Sequence, residues 1–84
     1  MRLTVLIRPK AGILDPEGEA VQASLATLGF SVTRARVGRL VDLDVDSDDP
    51  AGARAEVERM CAELLANPLI ESVEVDIAGE VRRA

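Results

Sequence analysis

The chain has no histidine, no tryptophan and no tyrosine, one phenylalanine, one cysteine, and ten basic residues against fifteen acidic ones. Each shortage closes a class of function. Without histidine there is no Ser-His or Cys-His nucleophile pair and no ordinary zinc site. Cys61 stands alone, so no internal disulfide forms. It falls on the apolar stripe of a predicted helix and reads as a small core residue; a reactive thiolate would want a base beside it. The net charge of −5 lacks the basic footprint of a nucleic-acid binder, and the rings on which bases stack are missing. An acidic chain is also repelled by anionic membranes. No run of about 18 apolar residues spans a bilayer. The opening MRLTVLIRPK alternates like a strand and is broken by Arg8, unlike a signal peptide, so a cytoplasmic location is expected.

What is present is aliphatic. Hydrophobic residues make up 48% of the 84, so the core must be Val, Leu, Ile and Ala in two packed layers with no large ligand cavity. A chain of this size forms one domain, 1–84, and buries roughly 60–65% of its unfolded surface, which leaves stability marginal and favours a partner. There are no repeats, linkers or low-complexity tracts.

Leu3, Val5 and Ile7 alternate with Thr4, Leu6 and Arg8 as a first strand that Pro9 ends. After a loop, Asp15-Pro16-Glu17 opens a helix: Asp15 caps, Pro16 fits the first helical position, and Glu17 and Glu19 favour the positive end of the dipole. Val21, Leu25 and Leu28 form its expected buried stripe, and Gly29 closes it. Residues 31–46 are a second strand region. Asp49-Pro50 repeats the helix-opening pattern, with Ala53, Val57, Met60, Cys61, Leu64 and Leu65 as the stripe and Asn67-Pro68 as the stop. Val73, Val75 and Ile77 alternate in a last strand, and the tail GEVRRA is expected to fray. The order β-α-β-α-β with a long middle strand predicts an α+β, ferredoxin-like layer: an antiparallel sheet with two helices on one face.

The middle region carries an inference of its own. From Thr33 to Val45 the odd positions are apolar apart from Thr33 and Arg39, and the even positions are polar apart from Gly38 and Leu40. Parity is unbroken across Gly38. A two-residue hairpin there would break it, which leaves either one continuous strand, kinked or bulged at Gly38, or a hairpin with an odd-length loop. Fourteen continuous residues would span about 46 Å. A globule of this length is only about 30 Å across, so such a strand would overshoot its own domain. Its polar face is basic first (Arg34, Arg36) and acidic later (Asp42, Asp44, Asp46). Two copies paired antiparallel about Gly38 or Arg39 would set Arg34 against Asp42 or Asp44, a self-complementary surface suited to a homodimer. Exposed pairs of this kind contribute about 0–1 kcal/mol each and would fix register more than affinity. The same charges could instead solvate the exposed face of an intramolecular hairpin.

Nothing else reads as chemistry. Asp42-x-Asp44-x-Asp46 resembles the start of an EF-hand loop, but Ser47 stands where that loop needs Gly and Ala53 where it needs Glu. Alternate residues of a strand lie about 6.6 Å apart, too far for one ion. Asp15, Glu17 and Glu19 are accounted for as helix-start residues. There is no phosphate-binding glycine loop, and no catalytic, cofactor or metal residue is expected. Arg8, Lys10 and Arg39 could meet an anionic surface on another protein. Arg39 interrupts the apolar side of the strand, so it either snorkels to water at the sheet edge or touches a partner.

Two longer motifs add to this reading. Leu14, Asp15, Pro16, Gly18, Ala20, Val21, Leu25, Leu28 and Gly29 match the pattern LDP-x-G-x-A-V-x-x-x-L-x-x-L-G; Met60 to Glu71, MCAELLANPLIE, matches M-C-x-x-L-L-A-N-P-[VLI]-I-E. Between them Ala35 to Arg39 matches V-[RK]-[VI]-G-[KR], with Ala at the usual Val. Val73 stands where an aromatic is usual. With these motifs the chain resembles the PurS family, the small subunit of phosphoribosylformylglycinamidine (FGAM) synthase in de novo purine biosynthesis, over nearly its whole length.

The resemblance implies a PurS-like fold and a non-catalytic structural subunit. It would be a homodimer or higher homo-oligomer bridging a PurQ-type glutaminase subunit and a PurL-type ATP-dependent synthetase subunit. The assembly, an ATP-dependent carbon–nitrogen ligase, would convert formylglycinamide ribonucleotide (FGAR) to FGAM with ammonia from glutamine, with ATP and magnesium on the synthetase and none here. Holding the two sites together keeps ammonia out of bulk water, where it would protonate. Candidate dimer-strand residues are Arg34, Arg36, Gly38, Asp42 and Asp44. Candidate partner contacts are Arg8, Lys10, Asp15, Arg39 and Asn67. The alternative reading is a small-molecule-sensing regulatory domain of the ferredoxin-like type.

Overall fold

A computed structural model describes residues 1–77, so the expected frayed tail lies outside the described residues. Strand β1 (Arg2–Pro9) is followed by helix α1 (Pro16–Thr27), strand β2 (Arg39–Asp44), helix α2 (Pro50–Met60) running into a π-turn (Cys61–Leu65), and strand β3 (Glu71–Ile77). β1 is the central strand of a three-stranded antiparallel sheet ordered β2-β1-β3. Leu3 lies between Leu43 and Ile77, Val5 between Val41 and Val75, and Ile7 between Arg39 and Val73. This alternation puts the aliphatic residues on one face, as the period of two requires.

The core lies on that face beneath α2. Leu3, Val5, Ile7, Val45, Ala53, Val57 and Cys61 are buried, with Val41, Leu43, Met60, Leu65, Ala66, Val75 and Ile77 packed around them. Arg54 Nη1 donates to the Val75 carbonyl at 2.6 Å, which draws α2 toward the β3 side of the sheet. No side chain of α1 enters this cluster among the described residues.

Both helix starts are where the Asp-Pro pairs place them, by different means. Asp15 Oδ1 accepts from Gly18 N at 3.0 Å, a true cap. Asp49 precedes Pro50 but makes no side-chain cap bond; Ser47 Oγ accepts from its N–H at 3.1 Å instead. α1 ends in a Schellman motif, with Gly29 N donating to Ala26 O at 3.0 Å and Phe30 N to Leu25 O at 3.0 Å. Gly29 takes φ +97°, the left-handed conformation glycine adopts freely.

Three expectations are corrected. The stripe of α1 is not buried: Val21 is 41% and Leu28 72% exposed, Leu25 is half-buried, and Gly18 is the helix's buried residue. Leu64 leaves the α2 stripe and is 84% exposed. The cause is the π-turn, in which Ala66 N reaches back five residues to Cys61 O at 3.1 Å and shifts the phase of the side chains. The second strand is shorter than its pattern, since only Arg39–Asp44 pairs with β1. Residues 31–37 run on beyond the sheet without a backbone–backbone hydrogen bond. The molecule is accordingly long, 48 × 29 × 15 Å, with a radius of gyration of 15.6 Å against about 12 Å for a compact chain of this length.

Candidate functional site

α1 and residues 31–37 form an arm that projects past the end of β1. Its root is where the motif segments meet, and each contact there has a local cause. Asp15 uses both carboxylate oxygens: Oδ1 caps α1 through Gly18 N, and Oδ2 accepts from Val37 N at 2.9 Å. These two N–H groups hold the Asp15 carboxyl below the usual carboxylate range. Gly18 must be glycine, because a Cβ there would run into the Ala35 carbonyl and the Asp15 carboxylate. Farther along, Gln22 Nε2 donates to the Thr33 carbonyl at 3.0 Å. The helix is thus tied to the returning segment at Asp15, Gly18 and Gln22.

Below the root, Gly38 passes so close to β1 that a Cβ would run into the Ile7 carbonyl. Arg39 follows. Its Nη1 donates to Glu71 Oε2 at 2.8 Å, and its Nη2 to Glu71 Oε1 at 3.3 Å and to the Leu65 carbonyl at 2.6 Å. Glu71 Oε1 also accepts from Asn67 N at 2.8 Å, and these bonds, the Asn67 N–H first, lower the Glu71 pKa. Asn67 shapes the turn: its Oδ1 accepts from Leu69 N at 3.1 Å and its carbonyl from Ile70 N at 3.1 Å and Glu71 N at 2.8 Å. One guanidinium therefore joins the start of β2 to the end of the π-turn and the Asn67-Pro68 turn.

The other candidate residues fall as follows. Arg34 and Arg36 project from the arm and line an open hollow of about 390 Å3 with Ile13, Asp15, Glu19 and Gln22. Asp42 accepts from Thr4 Oγ1 at 2.7 Å, and Asp44 pairs with Arg2 Nε at 3.2 Å, which lowers the Asp44 pKa. Arg8 lies 3.6 Å from Glu74 in an exposed pair. Lys10 is exposed, and its backbone N–H donates to Ile70 O at 2.9 Å. Asp15 and Arg39, read as partner contacts, are engaged by the chain itself. Arg34 and Arg36 are not brought to Asp42 and Asp44 within one chain.

Sequence reasoning passed over Glu71, the acid that Arg39 needs, and the exposed apolar residues. Leu14 is 72%, Phe30 59% and Leu69 82% exposed. A signal for Leu69 did exist: a turn after Asn67-Pro68 needs polar residues, and Leu69-Ile70 is not polar. Cys61, where α2 runs into the π-turn, is buried, and burial, then Glu58, pushes its thiol pKa up, the opposite of an activated thiolate.

The sheet with two helices, the extended arm and its doubly tied root define a small α+β domain of the ferredoxin-like class that presents edges and turns to its surroundings. Residues 2–79 match the family model PurS, described as phosphoribosylformylglycinamidine (FGAM) synthase. The PurS subunit of that synthase from Methanocaldococcus jannaschii is 36% identical over 77 residues, 90% of this chain and 93% of that protein. The Synechocystis PurS subunit is 40% identical over 72 residues, 84% and 70% of the two chains. The crystal structure of the M. jannaschii PurS, one of the subunits of formylglycinamide ribonucleotide amidotransferase in the purine biosynthetic pathway, superposes with a TM-score of 0.80 at 37% identity, covering 89% of this chain and 92% of that one. The structure of PurLQS from Thermotoga maritima contains a chain that matches with a TM-score of 0.82 at 29% identity, covering 89% and 93%. The chain belongs to the PurS family.

Proposed function

We propose that this chain is the non-catalytic bridging subunit of an FGAM synthase, acting as a homodimer or higher homo-oligomer between a glutaminase subunit and an ATP-dependent synthetase subunit. The observation that carries the reading is membership of the PurS family, joined to the match with a chain of the Thermotoga PurLQS assembly. The chemistry would belong to the larger subunits: one releases ammonia from glutamine, the other uses it with ATP and magnesium to turn FGAR into FGAM. This chain would supply position. Its rigid Asn67-Pro68 turn, the neighbouring Leu64 and Leu69, and the Arg8 to Asp15 loop with Leu14 are the surfaces offered to those partners. Asp15, Arg39 and Glu71 set the shape of these surfaces through their bonds within the chain. Ammonia held between two joined sites stays unprotonated, which bulk water would not allow. The arrangement suits the cytoplasm.

An omit-one assay tests the function. Glutamine-dependent FGAM formation by the two large subunits of the same organism should fall at least about tenfold when this chain is left out, while formation from free ammonia survives on the synthetase alone. Equal glutamine-dependent rates with and without the chain would refute the bridge. Tight binding of an amino acid or nucleotide to the isolated chain would favour a sensing domain instead.

A further inference from the structure

The sheet has β2 at one edge and β3 at the other. The β3 edge is stopped at both ends and open in the middle. Lys10 N donates to Ile70 O at 2.9 Å, and this pair fixes the phase of the β1–β3 ladder. The even residues of β3 therefore direct their backbone groups at β1, and the odd residues Glu71, Val73 and Val75 direct theirs outward. Glu71 N finds the Asn67 carbonyl at 2.8 Å, and the Val75 carbonyl accepts from Arg54 Nη1 at 2.6 Å. Between these two stops, the N–H and C=O of Val73, the Glu71 carbonyl and the Val75 N–H have no partner among the described residues.

A pocket lies beside this gap on the α2 face. It has a volume of about 170 Å3 and is lined by Cys61, Ala62, Ala66, Pro68 and Val73. Its size suits one large apolar side chain. Val73 faces α2 as Ile7 does, yet it is 41% exposed where Ile7 is 1% exposed, so cover is missing at the gap itself. Glu58 and Lys10 stand at the rim, each without an ion pair among the described residues. Pro68 also belongs to the turn that exposes Leu69, so the pocket continues a surface already assigned to a partner. Gap and pocket are in register. In antiparallel addition, one residue of an incoming segment takes both Val73 bonds and projects its side chain on the face of Val73. That face holds the pocket.

We propose that β3 receives an extended segment of one of the two larger subunits, about three to five residues long, whose apolar residue opposite Val73 fills the pocket. This rests on the bridging reading and deepens it by naming how a partner is held. Backbone bonds supply attachment, and the pocket selects the side chain. Charges of both signs beside that residue answer Glu58 and Lys10. A second copy of this chain does not fit the gap. Its own β3 would bring Arg54 and residues 67–71 against the same two stops, on either side of Val73. The stops also leave one open ladder position, too little to template the pairing of long strands.

Three variants of the full chain test this, each assayed with both large subunits of the same organism. Val73→Pro removes an outward N–H, which an edge strand tolerates, and Val73→Thr keeps it. Ala62→Phe, at an exposed position, fills the pocket from the chain's own side. The chain concentration for half-maximal glutamine-dependent FGAM formation should rise at least about tenfold for Val73→Pro and Ala62→Phe, and stay within about twofold for Val73→Thr. Circular dichroism and sedimenting mass of the isolated variants should match wild type. A wild-type chain that supports no glutamine-dependent activity would overturn the bridging reading and this one with it. With an active wild type, Val73→Pro or Ala62→Phe at the wild-type value would overturn strand addition alone. Equal losses for Val73→Pro and Val73→Thr, or a smaller mass for isolated Ala62→Phe, would also overturn it, the first by assigning the effect to the side chain and the second by making the edge a contact between copies. Should Val73→Pro fail to fold, amide exchange decides: the Val73 N–H should exchange at least about tenfold more slowly in the assembly than in the isolated chain, and an unchanged rate would overturn the proposal.

Discussion

Gly38→Ala should destabilise the protein, whereas Gly52→Ala, the same substitution, should stabilise it. Neither glycine has positive φ; among the described residues only Gly12 and Gly29 do, so backbone strain does not separate the two sites. In both cases alanine narrows the unfolded ensemble, which alone favours folding by about 0.4–1 kcal/mol. The difference lies in what a Cβ meets. At Gly52 the nearest atom is Asp49 Oδ2 at 2.7 Å, the free end of an exposed side chain that makes no cap bond and can swing away. Alanine also suits the first turn of the helix better than glycine, so a net gain of about 0.5–1 kcal/mol is expected. At Gly38 the obstacle is the backbone carbonyl of Ile7, fixed in the central strand, with Arg8 Cγ at 3.3 Å behind it. Forcing the strands apart costs about 1–3 kcal/mol in overpacking and loosens the Ile7–Arg39 pair, worth about 0.5–1.5 kcal/mol per hydrogen bond lost. Less the unfolded-state gain, the net loss is about 0.5–4 kcal/mol. At about 4–8 °C per kcal/mol for a domain of this size, the midpoint should fall by about 2–30 °C in a thermal melt followed by circular dichroism. A Gly38→Ala midpoint at or above wild type would refute the close approach of β2 to β1.

Leu3→Ala removes a fully buried side chain packed between Leu43 and Ile77 and should cost about 2–4 kcal/mol, lowering the urea midpoint by about 1–3 M; a shift below about 0.5 M would place Leu3 outside the core. Cys61, buried and with a raised pKa, should react with a disulfide reagent at least about tenfold more slowly in the native protein than in denaturant; equal rates would contradict its burial. Asp15, Asp44 and Glu71 all have lowered pKa values in the fold, so their stabilising contribution is complete above the unfolded carboxylate value of about 4 and is lost as pH drops through the folded values. Unfolding midpoints should therefore be flat near neutrality and decline in acid below about pH 4. Asp15→Asn should flatten that decline, and an unchanged acid limb would show that the cap contributes nothing to it.

The helix boundaries were legible because their chemistry is local. Asp15-Pro16, Asp49-Pro50, Gly29 and Asn67-Pro68 each act within four residues, and each marks an observed start or stop. Burial was less legible. The spacing of Val21, Leu25 and Leu28 identifies a stripe, and spacing is silent on whether the same chain covers it. The π-turn was hidden for a related reason: one extra residue in a turn rotates everything after it, so Leu64 fits a regular helical pattern in sequence and points outward in space. The continuous parity of residues 33–45 left open a continuous strand or a hairpin with an odd-length loop, and only Arg39–Asp44 of that run pairs with β1. It did not distinguish residues that have a neighbour strand from those that do not, because alternation records side-chain faces and not hydrogen-bond partners. The Arg39–Glu71 pair spans 32 positions. The odd charge in an apolar row could flag Arg39, but finding its acid required knowing that both strands flank β1.

Six of the residues that carry the family motifs are joints. Gly18 and Gly38 permit close backbone approach, Asp15 ties helix to strand, Arg39 and Glu71 tie strand to turn, and Asn67 builds the turn itself. The apolar residues lie the other way, with Leu14, Leu28, Phe30, Leu64 and Leu69 exposed where a small, marginally stable domain would gain by covering them. Rigid joints combined with uncovered apolar flanks describe a part shaped to be completed by other chains. For such a part, a substitution at a joint should alter both the fold and the assembly, and a substitution on a flank should alter assembly alone.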